Sequence, residues 1–197
     1  MKLAPTGLAK ALGTGLKPVY VILGEEPYAA QEAADAVREA ARAKGYAERA
    51  LLFVETGFSW DELHAEAANG GSLFGDKRLI EVKIANGRVD AAGQAAIAEY
   101  AADPPPDTLL LVVVLGADYR LFKSAGARKL AEVGVVVECK PLSANELVHW
   151  IKGRLKACGM EAPEAGIALI ADSAQGNLLA AAQAVERLSL LGAEGTV

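Results

Sequence analysis

The sequence predicts an α/β domain with a mostly parallel sheet, followed by a small unit of three helices. Three observations carry that prediction. Five apolar runs rich in Val, Ile and Leu recur through residues 1–140, segments dense in Ala, Glu, Lys and Arg lie between them, and beyond Pro141 the strand pattern stops. Strands alternating with helices in this way build parallel sheets covered on both faces.

The strand candidates are Val19–Leu23, Leu51–Glu55, Leu79–Ile84, Leu109–Leu115 and Val133–Glu138. The first, fourth and fifth are continuously apolar, as strands buried on both faces must be. The intervening helices are expected over Tyr28–Lys44, Ser59–Asn69, Asp90–Ala102 and Leu121–Glu132. Ser59 is placed to cap the second, with Glu62 in the capping-box position. The boundary falls near Lys140–Leu142, giving units of 1–140 and 141–197. In the second unit Ser143-Ala144-Asn145-Glu146 reads as a capping box, and Leu147, Ile151, Leu155 and Cys158 follow at helical spacing. Gly159 stops that helix. Pro163 opens another bearing Ile167, Ile170 and Ala171, and a third starts near Asn177 with Leu178, Ala182, Val185 and Leu188 in phase.

Composition excludes several classes. The 197 residues are 52% hydrophobic, 6% aromatic and 23% charged, so the chain can bury a core and is not disordered throughout. The longest apolar run suits a buried strand and is too short for a membrane span. Twenty basic against 25 acidic residues leave a net charge of −5, which argues against nucleic-acid binding through an overall field. Cys139, Cys158, His64 and His149 make neither a disulfide scaffold nor a zinc site. Both thiols read as packing residues, and Met1–Leu16, broken by Pro5-Thr6-Gly7, does not read as a secretory leader; a cytoplasmic location is expected.

The first strand–helix turn is where an α/β domain would hold a phosphate. A P-loop, G-x-x-x-x-G-K-[ST], supplies inward-facing amides, a lysine and a metal-binding hydroxyl. Here the turn begins Gly24-Glu25-Glu26-Pro27-Tyr28, and Ala29, Ala30 and Gln31 stand where Gly, Lys and Ser/Thr are needed. Two carboxylates beside the positive end of the helix would repel a triphosphate. No catalytic set emerges elsewhere: Asp61, Glu62 and His64 read as a solvated helix face, His149 as a partly buried helix residue, and Ser124 and Ser143 lack a base. Arg120, Lys123, Arg128 and Lys129 cluster on one helix and Lys152, Arg154 and Lys156 on another; solvated faces explain both, and DNA phosphates within an assembly would also suit them.

One motif is different. Ser72-Leu73-Phe74-Gly75-Asp76-Lys77-Arg78-Leu79 sets two adjacent large apolar residues between glycines, separated from the following strand. Core packing and an exposed anchor both fit it on physical grounds; in a partner's pocket each side chain is worth about 1.5–3 kcal/mol before the cost of association.

That stretch resembles the clamp-binding signature of the delta-subunit family of the bacterial DNA polymerase III clamp loader. Pro18–Pro27 resembles the family's degenerate phosphate-loop region, Pro104–Leu111 the entry to its fourth core strand, and Gly176–Gln183 the start of the last helix of its second domain. The resemblance implies an AAA+ fold, a five-stranded domain with a helical lid, in a subunit without ATPase function. It aligns the missing lysine with Ala30. It also sets Gly176-Asn177-Leu178-Leu179 against the Gly-Asp-x-Arg stretch of active relatives, so that Leu179 stands for the lost lid arginine. Leu73 and Phe74, with Ser72, would be the wedge that enters the sliding clamp and holds its ring open for loading onto primed DNA. The implied partners are the sliding clamp (beta) and the gamma/tau and delta-prime subunits of a pentameric ring, with primer-template DNA met through the assembly; no cofactor or metal is implied. The family's chains carry a further collar domain, so a fragment that binds the clamp but assembles poorly is expected. A divergent P-loop NTPase and a structural AAA+ partner without clamp contact are the competing readings.

Overall fold

The computed structural model describes residues 1–69, 77–116, 130, 132–191 and 195–196. It divides into two compact units, Met1–Cys139 and Lys140–Val197.

In the first unit six strands form one parallel sheet: β1 (Lys2–Leu3), β2 (Val19–Gly24), β3 (Tyr46–Val54), β4 (Lys77–Ile84), β5 (Thr108–Leu115) and β6 (Val135–Cys139), in the order β1-β6-β2-β5-β4-β3. The helices are α1 (Pro5–Gly13), α2 (Pro27–Ala43), α3 (Asp61–Ala68) and α4 (Ala91–Ala102). β2 and β5 have no exposed residue, as their unbroken apolar sequences require. One face of the sheet is a single cluster in which Val19, Val21, Leu23, Ile80, Val82, Leu110 and Val112 pack with Leu63 of α3 and Ile97 of α4. The opposite face, with Tyr20, Ile22, Leu109 and Leu111 fully buried, lies under α2 where that helix crosses β2 and β5.

The structure departs from the sequence expectation at three places in this unit. The sheet has six strands where five are expected, because Lys2–Leu3 pairs with Val136–Val137. Two residues are too few to show a period, and helix α1 behind them is short and only Leu8 of it is buried. β3 starts at Tyr46, five residues before the apolar run, since an edge strand tolerates Glu48 and Arg49 facing water. The capping box at Ser59 does not form: the Ser59 hydroxyl accepts from the amide of Asp61 and α3 starts one residue late. Of the helix expected over Leu121–Glu132, only Leu130 and Glu132 lie within the described residues, and both are helical.

The second unit holds α5 (Ala144–Ala157), β7 (Met160–Glu161), α6 (Glu164–Ala174), α7 (Leu178–Leu190) and β8 (Gly195–Thr196). Ser143 and Glu146 complete a capping box on α5, with Glu146 accepting from the Ser143 amide at 2.8 Å. Leu147, Ile151 and Leu155 form its buried stripe. His149 is exposed, not partly buried, because it falls off that stripe. The pairing of β7 with β8 corrects the expectation that no strand follows Pro141.

Candidate functional site

The strand order reverses around β2, whose neighbours β5 and β6 lead to opposite sides of the sheet. The carboxyl end of such a strand is where open α/β sheets hold ligands. Here that end is closed by the protein itself. Only Glu25 and Glu26 separate β2 from α2, so no loop exists that could wrap a phosphate. The Glu26 amide donates to the Cys139 carbonyl at 3.2 Å, and the Glu26 carboxylate accepts from the Tyr28 amide at 3.2 Å. Pro27, the first helical residue, has no N–H to offer. Gly24 presses against the neighbouring strand: a Cβ there would sit 1.8 Å from the Cys139 carbonyl oxygen.

Ala29 and Ala30 are buried on α2, with Ala30 wholly so, where a lysine could not be housed without disrupting the packing. Gln31 is exposed and its amide donates to Asp35 at 3.0 Å. Leu179, on the first turn of α7, is 47% exposed, and the helix is capped by Asn177 accepting from the Ala180 amide. Cys139 is fully buried, and burial, then the carboxylates of Glu26 and Glu138, push its thiol up to about 12. It is an inert packing group.

Chemistry is equally sparse elsewhere. Asp61 and Glu62 are exposed, and His64 meets Glu99 at 3.5 Å on an exposed face. Among the described residues no group of three or more His, Cys, Asp or Glu side chains could hold a metal. A cavity of about 560 Å³ lies at the carboxyl ends of β3 and β4, and three of its polar side chains serve the fold: Asp90 caps α4 and accepts from the Trp60 indole, Gln94 donates to the Val89 carbonyl, and Asn86 accepts from the Arg88 amide.

The second candidate region is the junction of α3 and β4. Ser72, Leu73 and Phe74 lie outside the described residues, as do Arg120, Lys123, Arg128 and Lys129. Asn69 caps α3, and Lys77 opens β4 at the amino-terminal end of the parallel sheet, the end away from Gly24. Sequence inspection does not single out the residues that brace this junction. Arg78, with 18% of its side chain exposed, reaches back to α3 and pairs with Glu66 at 2.6 Å. Its backbone amide donates to Asp107, whose φ of +56° lets its carbonyl turn towards β4. Lys77 stands over the Tyr46 ring, 5.5 Å from its centre. The basic residues Lys152 and Arg154 of α5 are also engaged: Lys152 pairs with Glu164 at 2.6 Å and Arg154 stacks on Trp150.

Comparison with known proteins adds relatedness to this geometry. Residues 20–140 match the family model described as DNA polymerase III, delta subunit. DNA polymerase III subunit delta of Escherichia coli is 29% identical over 195 residues, covering 99% of this chain and 57% of that protein. The Haemophilus influenzae protein of the same name is 26% identical over 193 residues, covering 96% and 56%. The chain therefore spans little more than half the length of these relatives. Among solved structures, the Bacillus subtilis DNA clamp loader delta protein aligns with a TM-score of 0.73 at 20% identity, over 98% of this chain and 59% of that one. The Thermotoga maritima RuvB Holliday junction branch migration motor aligns at 0.54 and 16% identity, over 96% and 64%. These likenesses show a shared fold.

Proposed function

The chain belongs to the DNA polymerase III delta-subunit family, and on that premise we propose that it serves a bacterial clamp loader by binding the sliding clamp and favouring its open ring, with no ATP hydrolysis of its own. The observation that carries the second half of this reading is the closed turn at Gly24: two intervening residues, a proline at the helix start and a self-capping Glu26 occupy the place of a phosphate loop. A subunit built this way contributes binding energy and leaves nucleotide chemistry to other members of its ring. Preferential affinity for the open clamp shifts the equilibrium without any covalent step.

Leu73 and Phe74, flanked by Ser72, are the residues we assign to the clamp contact. Support comes from their position in the sequence between α3 and β4 and from their apolar chemistry. The gamma/tau and delta-prime subunits are the proposed ring partners, and the bacterial cytoplasm the proposed location. Among the described residues no helix is long and apolar enough to cross a membrane.

The deciding experiment compares clamp binding by the wild-type chain and by Leu73→Ala/Phe74→Ala. Loss of about 2–4 kcal/mol with an unchanged melting temperature is expected. Equal affinities would remove the assignment, and a collapsed melting temperature would make the pair core residues. Titration of the wild-type chain with ATP should show no saturable binding; a saturable isotherm would favour a divergent NTPase.

A further inference from the structure

The open edge of the main sheet carries an inference of its own, independent of the clamp. β3 is the outermost strand, and from Glu48 to Val54 it keeps unbroken register with β4. None of the described turn and loop hydrogen bonds reaches residues 47–54. Alternate N–H and C=O groups of this strand therefore face outward, the arrangement on which a further strand can pair. Exposed edges are commonly blunted by proline or by a bulge; β3 contains no proline, and its one irregularity lies at the start, between Tyr46 and Glu48.

The side chains give the edge a character. Arg49, Leu51 and Phe53 share one face by strand alternation, in register with Leu79, Glu81 and Lys83 of β4. Leu51 is 38% exposed and Phe53 56%, and the Lys83 ammonium lies 5.9 Å from the centre of the Phe53 ring. Glu81, the acidic group among them, is fully buried and is shared by three cations, Arg38 at 2.8 Å, Arg49 at 2.7 Å and Lys83 at 3.7 Å, so one carboxylate leaves positive charge over; the side chains of Arg49 and Lys83 remain 43% and 33% exposed. Asp35, the nearest exposed carboxylate of the network, stands on α2 and pairs with Arg38. Glu48 of β3 falls on the other face, 3.9 Å from Arg78, so the face with Arg49, Leu51 and Phe53 shows water an apolar and cationic surface on a chain whose net charge is −5. Its complement is apolar and acidic.

We propose that the β3 edge receives an extended segment of a partner protein as an added strand, with a carboxylate beside Arg49 and apolar side chains beside Leu51 and Phe53. Main-chain hydrogen bonds supply the affinity and the alternate side chains the selectivity, as in other cases of strand addition.

The test uses the full chain and a blocked heptapeptide, Thr-Glu-Thr-Leu-Thr-Val-Thr, which presents Glu, Leu and Val on one face. Saturating peptide should slow hydrogen exchange about tenfold or more at those amides of Arg49–Val54 that do not bond to β4. Replacing its Glu by Lys should weaken binding about fivefold or more, and Phe53→Ser in the protein by a similar factor at unchanged melting temperature. N-methylation of alternate peptide residues should abolish binding. Absent protection, equal affinity for the acidic and basic peptides, or undiminished binding of the N-methylated peptide would each overturn the proposal. Protection that rises with protein concentration and without peptide would overturn it too, in favour of a second copy of the chain.

Discussion

Arg78 and Glu66 face each other across the α3–β4 junction, held twice over: the guanidinium lies 2.6 Å from the Glu66 carboxylate and donates to the Glu66 backbone carbonyl at 3.3 Å. The pair joins the last turns of one element to the second residue of the next. It sets where the chain leaves α3 and where it enters β4.

Arg78→Met should therefore cost about 1–3 kcal/mol in urea unfolding, because Glu66, with only 29% of its side chain exposed, loses its counter-charge. If the intervening segment binds the clamp, affinity should fall as well. Arg78→Lys should recover stability better than affinity, since an ammonium cannot hold carboxylate and carbonyl in one fixed fork. Clamp titrations of the two variants, beside their unfolding curves, provide the check.

Glu81 is the charge on which the β3–β4 half of the sheet depends. It is fully buried and accepts from Arg38 at 2.8 and 3.0 Å and from Arg49 at 3.0 Å. Glu81→Ala should destabilise by about 3–5 kcal/mol, because Arg38, whose side chain is 12% exposed, loses two of its hydrogen bonds and keeps only Asp35 as a partner among the described residues, while Arg49 loses its acceptor.

The same cluster gives a pH dependence. Burial alone would raise the Glu81 carboxyl, but the hydrogen bonds and charges of Arg38 and Arg49 prevail and hold it below its usual value. The unfolded state then takes up this proton at higher pH than the folded state does. The contribution to stability is complete above the unfolded carboxyl value of about 4.3 and is lost as pH falls through the folded one. Unfolding free energies of wild type and Glu81→Gln should differ most at neutral pH and converge in acid. A gap that widens on acidification would contradict the assignment.

Gly24→Ala should be among the most damaging single-methyl changes in the chain. The φ of +156° is one that side chains seldom adopt, and the added carbon would overlap the Cys139 carbonyl. A loss of about 2–4 kcal/mol is expected in thermal or urea unfolding, with no nucleotide-dependent component.

The two thiols should part cleanly. Cys158 is exposed at the end of α5, whereas Cys139 is buried and its thiol is pushed up to about 12. Brief treatment of the native chain with iodoacetamide at pH 8 should label Cys158 alone, and labelling of both should require denaturant. Mass spectrometry of the digested protein reads the outcome directly.

Much of the fold was legible along the chain because it depends on neighbours in sequence. The unbroken apolar runs at Val19–Leu23 and Leu109–Leu115 can be satisfied only inside a sheet covered on both faces, and there they lie. Ser143 and Glu146 cap their helix as their spacing requires. At Ser59 and Glu62 the same spacing failed, because Asp61 supplied a nearer amide for the serine hydroxyl. β1 was invisible for a different reason: two residues hold no period, and its strand exists through pairing with Val136 and Val137 over a hundred residues away.

By itself, then, the sequence determined the alternation of strands and helices, the turn without a phosphate loop, and the Leu73–Phe74 motif with the family it resembles. Tertiary structure decided what local pattern cannot. Glu81 looks like the wet half of an alternating strand until Arg38, 43 residues earlier, and Arg49, 32 residues earlier, arrive beside it. Arg78 is one basic residue in a motif until Glu66 comes within 2.6 Å. Burial of charge follows from which groups meet across the fold, and local propensity carries no record of that meeting.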